Sequence, residues 1–507
     1  MDFQLLLSSY ASVFTNLQVV LMTLLGAFGG ILLGAIPGMT ATMGVALLVP
    51  FSFGMDLIPA VGLLLGIYSG GMYGGSISAI LIHTPGTPSA AATLIDGYPM
   101  TQKGQGGYAL SVAMFSSFCG GIIGALIMTF ASPVIARAAM NFNSGEMFML
   151  AVFGLSVIIA ISGRSVVKGL ISGFLGMTLC TVGLDPTNGL PRFITRSQTG
   201  LYEGFAFIPA LIGMFAVAEV IAGVERIVRG TERHAVSHEK ITRVLPDGGT
   251  IGRIWPNILS GALIGTFVGA IPGAGGDIAV FVSYGANKSF SRQPEKWGTG
   301  IPNGVAATES ANNGCSGGAM IPLLALGVPG DAVTAVLLGA FIMKGIQPGP
   351  MMYVSELPTV YGVFAALMLA NLAMLLVGCA GVRFFAKIVS VEKTVLYPII
   401  LVVSLLGAFS INKNVFDLGV CVGFGVFGWL MNKYEFPLSP ILLTLILGPM
   451  CEQNFVRYMN LNHGDFTRIF HSPIAMTFLG LAVLSILYSI WNQGRINRLQ
   501  AAEAERA

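Results

Sequence analysis

The chain has 507 residues, 54% hydrophobic and 10% charged, with a mean hydropathy of +0.79; soluble globular chains carry about 25% charged residues, so this one has too few to cover a water-facing surface. Its net charge of +3 is too small and too scattered for a nucleic-acid partner. Its six cysteines stand singly, without a C-x-x-C pair, and imply neither a zinc site nor a disulfide framework.

The N-terminal MDFQLLLSSYASVF lacks the basic stretch of a signal peptide, so the mature chain is expected to start there. Two short apolar pieces, 17–36 and 40–52, flank Pro37-Gly38. Longer spans follow at 60–82, 108–131, 147–162, 169–184 and 203–223, near the length that crosses hydrocarbon as a helix. Between the first two, His83 stands beside a second Pro-Gly pair, and Asp96-Gly97-Tyr98-Pro99 reads as a turn with a structural role. The polar stretch 225–253 is the longest interruption. Beyond it, short pieces 256–271 and 277–285 flank Pro272-Gly273, and spans follow at 303–327, 359–382, 394–411, 415–431 and 436–450. A last span, 473–491, has no counterpart in the first half. The fold class is an all-α polytopic membrane protein of about 11–12 spans.

The chain repeats itself. Gly34-Ala35-Ile36-Pro37-Gly38 returns as Gly269-Ala270-Ile271-Pro272-Gly273, and Ile80–Gly86 is answered by Leu324–Gly330 in the same order. Duplication divides the chain into a first transmembrane repeat (1–224), a cytoplasmic linker (225–253), a second repeat (254–472), and an extra helix with a cytoplasmic tail (473–507). If each short pair returns to its own side, each repeat crosses five times, and the second copy is inverted. Charge supports this. With the linker cytoplasmic, only Arg137, Arg192, Arg196, Lys344, Lys413, Arg457 and Arg468 fall opposite; the rest of the 26 Lys and Arg share the linker's side, as the positive-inside rule requires.

Inverted repeats with broken or re-entrant helices place substrate near the membrane midplane, against half-helix ends. Proline removes a backbone donor and disfavours helix before it, and glycine permits close approach. The chain is therefore expected to break at Pro37-Gly38, Pro85-Gly86, Pro272-Gly273 and Pro329-Gly330. Each restarting helix offers free N–H groups, which favour a carboxylate. Thr40 and Thr42 follow the first break, Thr84 immediately precedes the second, Asp277 follows the third, and Asp331 and Thr334 follow the fourth. Asn312 and Asn313 are two adjacent amides that need partners at bilayer depth, and they join the substrate-binding set. Asp277, Glu309 and Ser310 are the candidates for a coupling ion, a proton or a sodium ion, with no other metal or cofactor expected. The bland alternatives are that Pro-Gly pairs are loops or kinks, that hydroxyls bond their own helix, and that both acids cap water-exposed helix starts. No enzyme constellation or nucleotide-binding GxxxxGK[ST] is present. An enzyme acting on a lipid carrier would need clustered acids or histidines, whereas the five histidines are dispersed. A passive channel is the third reading.

Gly34–Met39, Tyr73–Ser76 through Thr84–Gly86, Asp96–Met100, Glu309–Asn313 and Gln347–Pro350 resemble the large membrane subunit of the tripartite tricarboxylate transporter family, nearly end to end. The resemblance implies a bacterial inner-membrane permease for small carboxylates. It also implies a small four-helix membrane partner, a periplasmic solute-binding protein that delivers substrate, and coupling to a sodium or proton gradient. His83-Thr84 departs from the family's usual amide followed by an aliphatic residue, which puts citrate in doubt as the substrate.

Overall fold

The structure, a computed structural model, describes residues 2–161, 165–185, 188–195, 197–230, 244–389 and 393–504. Residues 231–243 of the expected linker lie outside that set, as do Arg164, Arg196, Arg233, Lys240, Arg243 and Arg506 from the charge assignment.

The described chain is almost wholly helical, with one two-residue hairpin pairing Gly183–Leu184 with Pro191–Arg192. The helices are α1 (Phe3–Thr15), α2 (Leu17–Ala35), α3 (Ala41–Ser52), α4 (Leu57–Ile82), α5 (Leu94–Gln102), α6 (Gly106–Ala139), α7 (Ser144–Ile161), α8 (Val166–Cys180) and α9 (Phe207–Val228), the last with a π-helical turn at Gly213–Val217. They continue as α10 (Gly248–Gly269), α11 (Gly275–Ser289), α12 (Pro302–Leu326), α13 (Ala332–Met343), α14 (Leu357–Ile388), α15 (Lys393–Asn412), α16 (Val415–Lys433), α17 (Leu438–Leu461) and α18 (Pro473–Ala504). Among the described residues 8 helices are long and apolar enough to cross a membrane: α2, α4, α6, α9, α14, α15, α16 and α18. Of the remaining helices, α3, α7, α8 and α13 are apolar but shorter, and α10, α12 and α17 have the length but more polar content. Large apolar side chains point outward along the bundle, among them Leu25, Phe174, Phe267, Val402, Leu406 and Leu484. Such an apolar surface suits lipid. This is a multi-pass membrane protein.

Two expectations need correction. Asp96–Pro99 is no turn; it lies inside α5. The Asp96 carboxylate sits in the first turn of that helix and accepts from the backbone N–H groups of Gly298, Gly300 and Ile301 at 3.0, 2.8 and 3.0 Å. Tertiary anchoring there, with a helix N-terminus that favours an acid, outweighs the local Gly/Pro turn signal. The other correction is that the sequence spans omitted α13, which starts two residues after Pro329-Gly330.

Small residues set the architecture. A Cβ added to Gly26, Gly30 or Gly34 of α2 would stand 2.1, 2.4 and 2.4 Å from the backbone oxygens of Leu63, Ile67 and Gly71 on α4. On α10, Gly261, Gly265 and Gly269 meet Ala307, Ala311 and Cys315 of α12 at 2.6, 2.2 and 2.5 Å in the same way. Both stripes end at the first glycine of a Gly-Ala-Ile-Pro-Gly and are spaced four apart on their helix, and backbone–backbone approach of this kind is how membrane helices associate. Contacts between the two halves are also reciprocal. Helix α6 packs on α12 and α14 on α4; α7 and α8 pack on α17, and α15 and α16 on α9.

Candidate functional site

All four Pro-Gly pairs interrupt helices. Pro37-Gly38 separates α2 from α3, and Pro85-Gly86 follows α4. Pro272-Gly273 separates α10 from α11, and Pro329-Gly330 separates α12 from α13. Within each half the two breaks touch. A Cβ at Gly86 would lie 2.0 Å from the Gly34 oxygen, and one at Gly330 would lie 2.7 Å from the Gly269 oxygen. The second pair is also hydrogen-bonded, Gly273 N–H donating to Gly330 O at 2.7 Å.

The restarting helices differ in what covers their first turn. Thr40 caps α3 through Met43 N–H at 3.1 Å. Asp331 caps α13 in a reciprocal box with Thr334, whose N–H donates to Asp331 Oδ1 at 2.7 Å. Helix α11 has no side-chain cap. Its first turn is Gly275-Gly276-Asp277, with Gly275 at φ +59° and the Asp277 side chain exposed. An uncapped N-terminus of two glycines and an acid lets an atom approach the backbone closely.

This turn lies where the two halves meet. From the first half, Ser89 brings its Cβ to 3.2 Å of the position a Gly276 Cβ would take, and Met72 Cε stands at the same distance. From the second, Asn312 Oδ1 is also 3.2 Å from that point. The Ser89 hydroxyl is 3.1 Å from that of Thr87. Tyr68 on α4 donates to Asp331 Oδ2 at 2.5 Å, and Asp331 Cβ lies 3.3 Å from the position a Gly275 Cβ would take.

The remaining predicted residues fall as follows. Asn312 and Asn313 are fully buried, and their amide N–H groups donate to the backbone oxygens of Met72 (3.1 Å) and Ser69 (3.2 Å), tying α12 to α4. Their Oδ1 atoms have no hydrogen-bond partner. Glu309 is not at a helix start; it sits in the middle of α12, fully buried, and accepts from the hydroxyls of Thr93 and Ser117 (the latter at 2.8 Å) in the first half. Asp277 does occupy a helix start. Ser310 donates to Ala306 O of its own helix at 2.8 Å. Thr84 is exposed, 3.4 Å from Ile82 O, and Thr42 is buried in α3. Gly38, at φ +91°, faces Glu219 of α9, which pairs with Arg226 at 2.5 Å. His83 caps α4 at φ 59° and packs against the Tyr98 ring, tilted by 33°, with ring centroids 4.3 Å apart. The sequence reading noted Asp331 but did not place it in the site, and Tyr68 it missed entirely; a lone tyrosine in an apolar span carries no signal.

A separate cavity of about 1480 Å³ has Gln347–Pro350, Asn412, Asn414, Asn454 and Arg457 along its walls. Its lining reaches Leu326 and Gly327, beside the fourth break. Val328 and Pro272 pack against Gly154, with a Gly154 Cβ position 3.2 and 3.9 Å from them, next to that cavity. The uncapped turn and the cross-half polar contacts lie at the seam, away from that cavity's lining, and make the seam the candidate site. Among the described residues no group of three or more His, Cys, Asp or Glu is placed to hold a metal ion.

The family model described as "Tripartite tricarboxylate transporter TctA family" matches residues 20–443. An uncharacterized 52.8 kDa protein in the TAR-I ttuC' 3'region of Agrobacterium vitis is 35% identical over 465 residues, 92% of this chain and 92% of that protein. An uncharacterized protein in the TAR-II ttuC' 3'region of the same organism is 34% identical over 236 residues, 46% of this chain and 98% of that protein. No solved structure matches.

Proposed function

Because this chain belongs to the tripartite tricarboxylate transporter TctA family, a family of transporter permeases and not of enzymes, we propose that it is the large permease of a secondary transporter importing small organic carboxylates of the di- or tricarboxylate type. The observation that carries this reading is the start of α11, where no side chain caps the first turn and two glycines bring its backbone N–H groups into a polar seam between the halves. One carboxylate of the substrate takes those donors, helped by the positive end of the helix dipole. The Thr87 and Ser89 hydroxyls stand opposite, and Pro272, Gly273, Pro329 and Gly330 hold the turn open.

The two halves run in opposite directions through a bacterial inner membrane, with the linker and the C-terminus cytoplasmic. The charge bias and the reciprocal packing support this orientation. Inward and outward states then arise by exchange of the halves' conformations. A periplasmic binding protein delivers the substrate, and a small four-helix membrane subunit completes the complex. A cation gradient drives accumulation. Of the three coupling candidates, Glu309 and Ser310 are already engaged by partners, whereas Asp277 faces open space; coupling is assigned to Asp277.

The test is uptake of labelled citrate and smaller dicarboxylates in cells carrying all three components. Accumulation above the outside concentration, lost when any one component is omitted, supports the reading. Equilibration without accumulation indicates a passive channel, and no carboxylate uptake rejects the proposal.

A further inference from the structure

We propose that the cavity of about 1480 Å³ is an outer vestibule with a carboxylate site of its own, where Gln453, Asn454 and Arg457 of α17 take an incoming di- or tricarboxylate before it reaches the seam. The inference rests on the transporter reading and adds a capture step to it.

The three side chains share one face. They stand at i, i+1 and i+4 on α17, so Arg457 lies one turn beyond the two amides, and all three line the cavity. Arg457 is the one Lys or Arg among the described lining residues. It is exposed, and no ion pair or hydrogen bond ties its guanidinium to a described residue. Other arginines assigned to the same side of the membrane are paired, Arg192 with Asp185 and Glu452, and Arg468 with Asp465. The lining also holds two acids. Asp417 is buried and accepts from Asn412 Nδ2 at 2.8 Å, and Glu203, on the segment before α9, forms no ion pair with Arg457. The guanidinium is therefore left to an outside partner. Its planar fork matches a carboxylate through two parallel N–H donors. The amides add donors without a second fixed charge; Asn454 uses one amide hydrogen on Met450 O at 2.8 Å and keeps the other. A single cation suits capture on a path, where binding must be weak enough for the anion to move on.

The cavity leads toward the seam. From Arg457 its lining passes Leu445–Leu447 of α17 and reaches Leu326 and Gly327 at the end of α12. There Gly349 N–H donates to Leu324 O at 3.1 Å, and a Cβ at Gly327 would stand 2.7 Å from Pro348 O. The Gln347–Pro350 loop is thus pressed onto the α12 end beside the fourth break. Just past that break Asp331 starts α13 and meets Tyr68 at the seam. With the linker cytoplasmic, Arg457 lies on the opposite side, where a delivered substrate arrives.

The test has two arms. In the first, the purified full-length chain carries Thr199→Cys, a lining position on another element, together with Cys180→Ala to remove the lining thiol. Citrate or succinate should slow maleimide labelling at position 199, and chloride at equal ionic strength should not. Adding Arg457→Gln should abolish the protection, and Arg457→Lys should keep part of it. In the second arm, Arg457→Gln in the full complex should raise the KM of carboxylate uptake about tenfold, the loss expected of one charge-assisted hydrogen bond, with maximal rate and membrane abundance near wild type. Arg468→Gln, outside the lining, should change neither. Protection that persists with Arg457→Gln overturns the site, as does an unchanged KM, and lower heat tolerance with protection intact reduces Arg457 to a structural role. Uptake by wild type without protection by either carboxylate refutes this inference alone. Protection without uptake refutes the transporter reading and leaves the site standing.

Discussion

Tyr68 on α4 and Asp331 at the start of α13 are joined by a 2.5 Å hydrogen bond that crosses from one half of the chain to the other. Both are buried, and Asp331 also caps its own helix. Tyr68→Phe removes the donor and leaves a buried acceptor, a loss on the order of 1–3 kcal/mol. The expected outcome is several-fold slower carboxylate uptake at normal membrane abundance, with lower heat tolerance of the purified chain. Unchanged uptake and heat tolerance would mean that this bond does not hold the halves together.

Gly86 and Gly34 test the helix breaks themselves. A Cβ at Gly86 would stand 2.0 Å from the Gly34 oxygen, and that neighbour is backbone, which cannot move aside cheaply. Gly86→Ala should sharply reduce the amount of folded protein in the membrane, or its uptake. Gly54→Ala, where nothing lies within 4 Å, should do neither. Quantitative immunoblots and uptake measured side by side decide it.

Two lysines tie each half to the other at corresponding places. Lys103, just past α5, donates to Thr299 O at 2.5 Å in the loop between α11 and α12. Lys344, just past α13, donates to Phe53 O at 2.7 Å and Met55 O at 2.5 Å in the loop between α3 and α4. In an inverted arrangement these ties sit on opposite faces. Lys103→Met and Lys344→Met should therefore open the seam from opposite sides, measured by membrane-impermeant thiol reagents on a Ser89→Cys reporter. Opening to the same side in both variants would contradict the inversion.

Glu309 and Asp277 are separated by their surroundings. Glu309 is enclosed by hydroxyl donors from the other half and serves as a cross-brace. Glu309→Gln should lower the yield of folded protein while the surviving protein keeps its dependence on sodium. Asp277→Asn should keep the yield and lose that dependence, with uptake in sodium falling to the level seen in choline, a drop of at least tenfold. The reverse pattern would move the coupling role to Glu309.

Much of this was legible in the residues. The repeated Gly-Ala-Ile-Pro-Gly located two breaks, and the Pro-Gly pairs at 85–86 and 329–330 located the other two, because proline and glycine act through the backbone and need no tertiary context. The glycine stripes of α2 and α10 were visible only as composition; that each sits against a backbone oxygen is a packing fact. Helix α13 was missed for its shortness, and α5 for its Gly-Tyr-Pro, which stays helical because three distant N–H groups hold Asp96. Asn312 shows the limit most clearly. Its depth was anticipated, but which of its amide atoms is left free depends on Met72, 240 positions away.

The most direct measurement is uptake of labelled di- and tricarboxylates by the full complex carrying wild type or Gly276→Val. At Gly276 a Cβ meets Asn312 Oδ1, Met72 Cε and Ser89 Cβ, all side-chain atoms, at 3.2 Å, so valine crowds the turn assigned to the substrate, and uptake is compared at membrane abundance and heat tolerance matched to wild type. Robust wild-type accumulation with uptake near background in the variant, at equal membrane abundance, is the predicted result. Equal uptake by both proteins would place the carboxylate path elsewhere in the molecule.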